Sequence, residues 1–178
     1  METMETRSNH VSTKIINPQQ QISTNLTRRF PVTSNRCNNN LFILYDYNSN
    51  FILVLPMKSR AEKEFISIFQ DLHVHLTTRG LKHNYMRLKN EASPASQCLL
   101  KDKCINYQLE PPIMQRRYSA ERAISTFKDH FIAGLCATDL DFPMQNWDRL
   151  LKQAEITLKL LCLYILNPIL SSYAQLNG

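Results

Sequence analysis

The residues best suited to chemistry lie between Gln115 and His130, where Arg116, Arg117, Arg122 and Lys128 surround a single carboxylate, Glu121. Ala120, Ala123, Ile124, Phe127 and Phe131 recur at helical spacing and predict one buried stripe, with Arg117, Glu121, Ser125 and Lys128 on the opposite, polar side. A cationic ridge of this kind neutralises phosphates. On spacing alone, Glu121 beside arginine is a solvated ion pair worth roughly a few tenths of a kcal/mol.

Other reactive types are present without a recognisable arrangement. His73 and His75 stand two residues apart, so their imidazoles diverge on a helix and cannot share an ion. The five cysteines, Cys37, Cys98, Cys104, Cys136 and Cys162, are odd in number and contain no Cys-x-x-Cys pair, which fits reduced thiols better than a disulfide framework or a zinc site. Three glycines are too few and too scattered for a phosphate-binding loop, and no Ser-His-Asp pattern suggests a hydrolase. Asn25-Leu26-Thr27 matches a glycosylation sequon, but the start of the chain has no signal-peptide character.

Several elements must position these residues. Residues 1–17 read as a disordered polar leader and 18–178 as one domain. A weak strand signal covers Gln20 to Leu26. The apolar runs Leu41–Tyr45 and Phe51–Leu55 flank Asp46-Tyr47-Asn48-Ser49-Asn50, which predicts a hairpin, and because both alternations are apolar, both sheet faces need cover. Ser59 and Glu62 form a capping-box pattern ahead of a helix carrying Phe65, Phe69, Leu72 and Leu76, stopped by Arg79-Gly80. A strand from Leu81 to Leu88, a short helix opened by Ser93-Pro94, and a strand with Ile105, Tyr107 and Leu109 follow. The last helix carries Trp147, Leu151, Ala154, Leu158, Leu161 and Ile165 on one stripe. Lys152, Glu155 and Lys159 interrupt its apolar run, so it packs in the core and does not span a membrane. A formal charge of +6 and a pI near 9.1 allow a polyanionic partner without demanding one.

The text Arg116-Arg117, Ala120-Glu121-Arg122-Ala123-Ile124 and Phe127-Lys128 resembles the third-carboxylate helix of retroelement integrases of the retrotransposon and retroviral type. Three strands followed by alternating helices and strands agree with that family's ribonuclease H-like core. The resemblance implies an α/β fold with a mixed sheet of about five strands and helices on both faces. It also implies DNA integration by metal-dependent phosphodiester transfer with Mg or Mn, DNA as partner, and self-association. Nuclear localisation follows from the resemblance alone. The family's His-His-Cys-Cys zinc module and small basic domain are not found in these 178 residues.

Three family carboxylates hold two cations, and the resemblance carries only one of them over. Glu121 matches the third, but the first falls on Asn25 in Asn25-Leu26-Thr27-Arg28-Arg29-Phe30-Pro31, and the second on Lys89 in Leu88-Lys89-Asn90-Glu91. Glu121 follows Lys89 by 32 positions, close to the family spacing. An ammonium about 4 Å from a divalent ion is repelled by roughly 8 kcal/mol at an effective dielectric near 20. The expectation is therefore an inactive core, a pseudoenzyme left by a transposable element, with no bound metal. Glu91 and Asp46 are the acids nearest to serving as replacements. Arg28 and Cys37 stand where the family favours glycine, in turns that use glycine's freedom. The alternative is a non-enzymatic DNA-binding or assembly module that uses Arg116, Arg117, Arg122 and Lys128.

Overall fold

The computed structural model describes residues 20–88, 93–109, 119–165 and 167–177. The leader and the candidate residues Lys89, Glu91, Arg116 and Arg117 lie outside them. The elements are β1 (Gln21–Leu26), β2 (Asn40–Asp46), β3 (Ile52–Met57), α1 (Glu62–Thr78), β4 (Tyr85–Leu88), α2 (Pro94–Asp102), β5 (Asn106–Leu109), α3 (Ser119–Cys136), α4 (Trp147–Leu161) and α5 (Ser172–Asn177). The sheet order is β3-β2-β1-β4-β5. β1 pairs antiparallel with β2 and parallel with β4, so α1 and α2 act as the crossovers that parallel pairing requires.

The doubly apolar runs are covered on both faces, as their pattern requires. On one face Phe42, Leu44 and Leu53 pack with Phe65, Phe69 and Leu72 of α1 and Leu99 of α2. On the other, Leu41, Ile43, Tyr45 and Val54 pack with Ile124 and Phe127 of α3 and Trp147 and Leu151 of α4. Each such side chain contributes about 1.5–3 kcal/mol of burial. The stripe predicted for α3 is the buried one, with Ala120, Ile124, Phe127 and Phe131 inside and Ala123 partly so.

Several local expectations change. The Ser59–Glu62 box does not form: α1 begins at Glu62 with Ala61 as N-cap and no side-chain cap. Glu64 instead reaches back to the amides of Lys58 and Ser59 at 2.6 and 2.9 Å, while Glu62 accepts from the amide of Ala95 on α2. The helix starts later than the sequence pattern suggests, and the acid that closes its entry moves with it. At the other end Gly80 has φ of +75°, and the amides of Leu81 and Gly80 bond Leu76 and Thr77, which terminates the helix as predicted. That termination also shortens the next strand to Tyr85–Leu88, because Leu81 is held in the cap and His83 turns into the interior.

The last predicted helix is likewise shorter. α4 ends at Leu161, where Cys162 turns extended, and Leu161 and Ile165 are exposed at 71% and 53% and do not join the core stripe. Leu163 bridges Ser171, and Asn167-Pro168 cannot continue a helix. Cys37 has a left-handed φ of +64°, a conformation that favours glycine, whereas Arg28 does not. All five cysteines are free. No helix among the described residues is long and apolar enough to cross a membrane.

Candidate nucleic-acid interface

Asn25 lies near the end of β1 opposite Ile43 of β2, and register partners share a face, so its side chain belongs to the α3 face of the sheet. It is 7% exposed, a buried position inaccessible to glycosylation despite the sequon. The chain beyond it is held closely. Thr27 exchanges bonds with Leu41, its amide donating to Leu41 O at 2.9 Å and its Oγ1 accepting from the Leu41 amide at 2.8 Å. Phe30 then stacks on Trp147 with ring centroids 4.3 Å apart, and Trp147 Nε1 donates to Val32 O at 2.8 Å. Asn38 donates to the buried carboxylate of Asp148 at 2.8 Å, which fastens the same loop to the start of α4.

Between this loop and α3 runs a cleft of about 410 Å³. Asn25, Arg28 and Phe30 form one wall, and Phe127, Lys128 and Ile132 the other. Glu121 does not line it. It sits partly buried in the first turn of α3, seven residues before Lys128, which on an α-helix is about 10 Å along the same stripe. Arg122 is exposed beside it. The structure thus gathers Asn25 and Lys128 in one cleft, leaves Glu121 outside it on the stripe of Lys128, and turns Arg122 about 100° around the helix from Glu121.

Asp46 is on the wrong face to stand beside Asn25. Its register partner is Ile22, whose side chain packs with α1 and α2, three residues or about 10 Å along β1 from Asn25. Asp46 is fully buried, and its oxygens are taken by His83 Nε2 at 2.9 Å, by the Ser49 amide at 2.7 Å and by the Ser49 hydroxyl. His83 gives no local sequence signal of this pairing, because the two residues are 37 apart. Arg28 as a cleft cation and Ile132 as a cleft wall were equally hidden, since only the tertiary fold brings loop and helix together.

Among the described residues, His73 and His75 join no other metal-ligating side chains in a cluster. His73 is partly buried, and His75 is exposed beside Arg79. Desolvation lowers the pKa of both, with Lys103 and His83 adding to the effect at His73, and Arg79 and Lys159 at His75. Lys159 is buried against Phe51 and bonded to Glu155, and desolvation pulls its pKa down against that carboxylate.

Among the described residues, the donor set around Asn25 does not fit the two-cation centre implied by the resemblance. A divalent ion needs carboxylate charge, and the cleft supplies an amide and two cations. Among the described residues no three His, Cys, Asp or Glu side chains stand close enough to share an ion.

By sequence, no protein-family model matches the chain, and a search of curated proteins finds no match. Solved structures do match. The HTLV-2 integrase catalytic core domain in complex with magnesium, in its trimeric form, is similar with a TM-score of 0.63 and 17% identity over 90% of this chain and 97% of that one. This chain has the integrase catalytic-core fold. The BIV integrase core is similar with a TM-score of 0.61 and 13% identity, over 87% of this chain and 91% of that one. A chain of the simian T-cell lymphotropic virus intasome in complex with the PP2A regulatory subunit B56 gamma gives a TM-score of 0.66 and 16% identity. That match covers 95% of this chain but only 58% of the intasome chain. The ribonuclease H-like α/β architecture, with its five-stranded mixed sheet, is the one expected.

Proposed function

We propose that this chain is a degenerate integrase core that binds nucleic acid and does not transfer strands. The observation that carries the reading is Asn25, a buried amide at the end of β1 whose cleft is flanked by Arg28 and Lys128. An amide offers a carbonyl oxygen but no charge, and cations beside it oppose a metal while favouring a phosphate. Lys89 at the second carboxylate position supports the same conclusion from sequence. Arg122 and Lys128 on α3, with Arg116 and Arg117 ahead of it, supply the cations for a polyanion, and residues 18–178 act as one core domain. Such a domain would work in the nucleus and would not need Mg or Mn.

Strand-transfer and disintegration assays in manganese test this on two proteins, the natural chain and Asn25→Asp combined with Lys89→Asp. We expect the natural chain to be silent and the double variant to join DNA. Joining by the natural chain would overturn the proposed inactivity. Silence of both folded proteins would remove support from the roles given to positions 25 and 89.

An assembly role is the second reading. The HTLV-2 cores that resemble this chain occur in dimeric and trimeric forms, and the simian virus neighbour belongs to an intasome. Sedimentation of the purified chain with and without DNA separates an assembling module from a monomeric binder.

A further inference from the structure

The cleft at Asn25 has a composition opposite to that of a metal site. Among the described residues its lining contains two cations, Arg28 and Lys128, and no carboxylate. Asn25 adds an amide that can donate a hydrogen bond where a carboxylate could only accept. Between these polar groups the surface is apolar, with Phe30 partly buried at one side and Ile132 exposed at 54% on the rim. At about 410 Å³ it is within the size range of a small-ligand cleft and can enclose a phosphate with one attached base.

We propose that this cleft binds a phosphate of a single nucleic-acid strand directly, with no divalent ion between phosphate and protein, and seats the attached base against the apolar surface. The inference rests on the nucleic-acid-binding reading above and goes further, because it names the strand form, the subsite and the independence from metal. Arg28 and Lys128 approach the phosphate from the two walls, and the Asn25 amide donates to it. Cationic side chains beside an apolar platform are the general means of holding an unpaired strand without sequence preference. Substituting aspartate at position 25 places a negative charge against the phosphate. The change that moves the site toward metal chemistry therefore weakens its metal-free binding.

The test is fluorescence anisotropy of the full chain with a labelled short oligothymidylate, in EDTA and in millimolar magnesium. We expect binding in EDTA that magnesium does not strengthen. Asn25→Asp, Arg28→Ala and Lys128→Ala should each weaken it roughly tenfold in EDTA, and the two alanine variants should each lower the salt slope by about one. Ile132→Glu, at an exposed position that does not threaten folding, should weaken it as well. Binding that requires magnesium, or that all four folded variants leave unchanged, overturns the subsite. If those variants bind normally while Arg122→Ala does not, the subsite is wrong and the nucleic-acid reading stands. If the natural chain binds neither single-stranded nor duplex DNA, both fail.

Discussion

His83 Nε2 donates to Asp46 Oδ1 at 2.9 Å, and the pair lies on the sheet face opposite Asn25. Asp46 is thereby committed to structure. It joins the β2–β3 turn to the start of β4, and Ser172 Oγ, donating to Ser49 O at 2.6 Å, adds α5 to the same clasp. Removing either member leaves a buried polar group without its partner. Asp46→Ala and His83→Ala should each cost about 3 kcal/mol in urea denaturation, with the proposed nucleic-acid binding unchanged at temperatures where the variants stay folded. A loss below about 1 kcal/mol would contradict the clasp.

Glu155 protects the open edge of the sheet. β3 is an edge strand, and its Val54 amide donates to Glu155 Oε2 at 3.1 Å while the other oxygen holds Lys159. Glu155→Ala exposes that edge and leaves Lys159 buried without its carboxylate, so a loss of about 3 kcal/mol is expected together with more aggregation. Glu155→Gln keeps an acceptor for Val54 and should lose less. Equal losses in the two variants on chemical denaturation would refute this account.

Cys37 and Arg28 occupy two kinds of backbone position. The left-handed φ of +64° at Cys37 costs a non-glycine residue about 1 kcal/mol, so Cys37→Gly should raise stability by approximately that amount. Arg28 carries no such strain, and Arg28→Gly should be neutral or slightly destabilising. Thermal melts of the two variants side by side decide the matter.

Acid should weaken the fold through His73. Its pKa is lowered from 6.5 by desolvation, then by Lys103 and His83, so the unfolded chain takes the proton more readily than the folded one. The stability this contributes is present above pH 6.5 and is lost as pH falls through the lowered folded value. Tm should therefore drop from pH 7 toward pH 5, and His73→Gln should make the drop shallower. A parallel decline in both proteins would show that His73 is not responsible.

The end of α4 offers a contrast between stripe and surface. Leu158 is 7% exposed and Leu161 71%, so Leu158→Ala should cost roughly 2–4 kcal/mol, whereas Leu161→Ala should stay within about 0.5 kcal/mol. Similar losses would imply that the helix continues and buries Leu161.

The sequence alone determined the features that repeat along the chain. Two doubly apolar runs specified covered strands, the 3.6-residue stripe from Ala120 to Phe131 specified which face of α3 is buried, and Ser93-Pro94 and Gly80 specified helix ends, because each signal acts within a few residues. The resemblance to integrase cores also rests on local text, around Asn25 and Glu121. Tertiary structure decided the rest. The register of β1 against β2 turned Asn25 toward α3 and Asp46 away from it, since one residue of shift exchanges the two faces of a sheet. Packing of Phe30 on Trp147 brought Arg28 across from Lys128, and the closure of α1 at Gly80 freed His83 to reach Asp46. These pairings join residues tens of positions apart. Local propensity carries no trace of them, because their free energy exists only once the layers have packed.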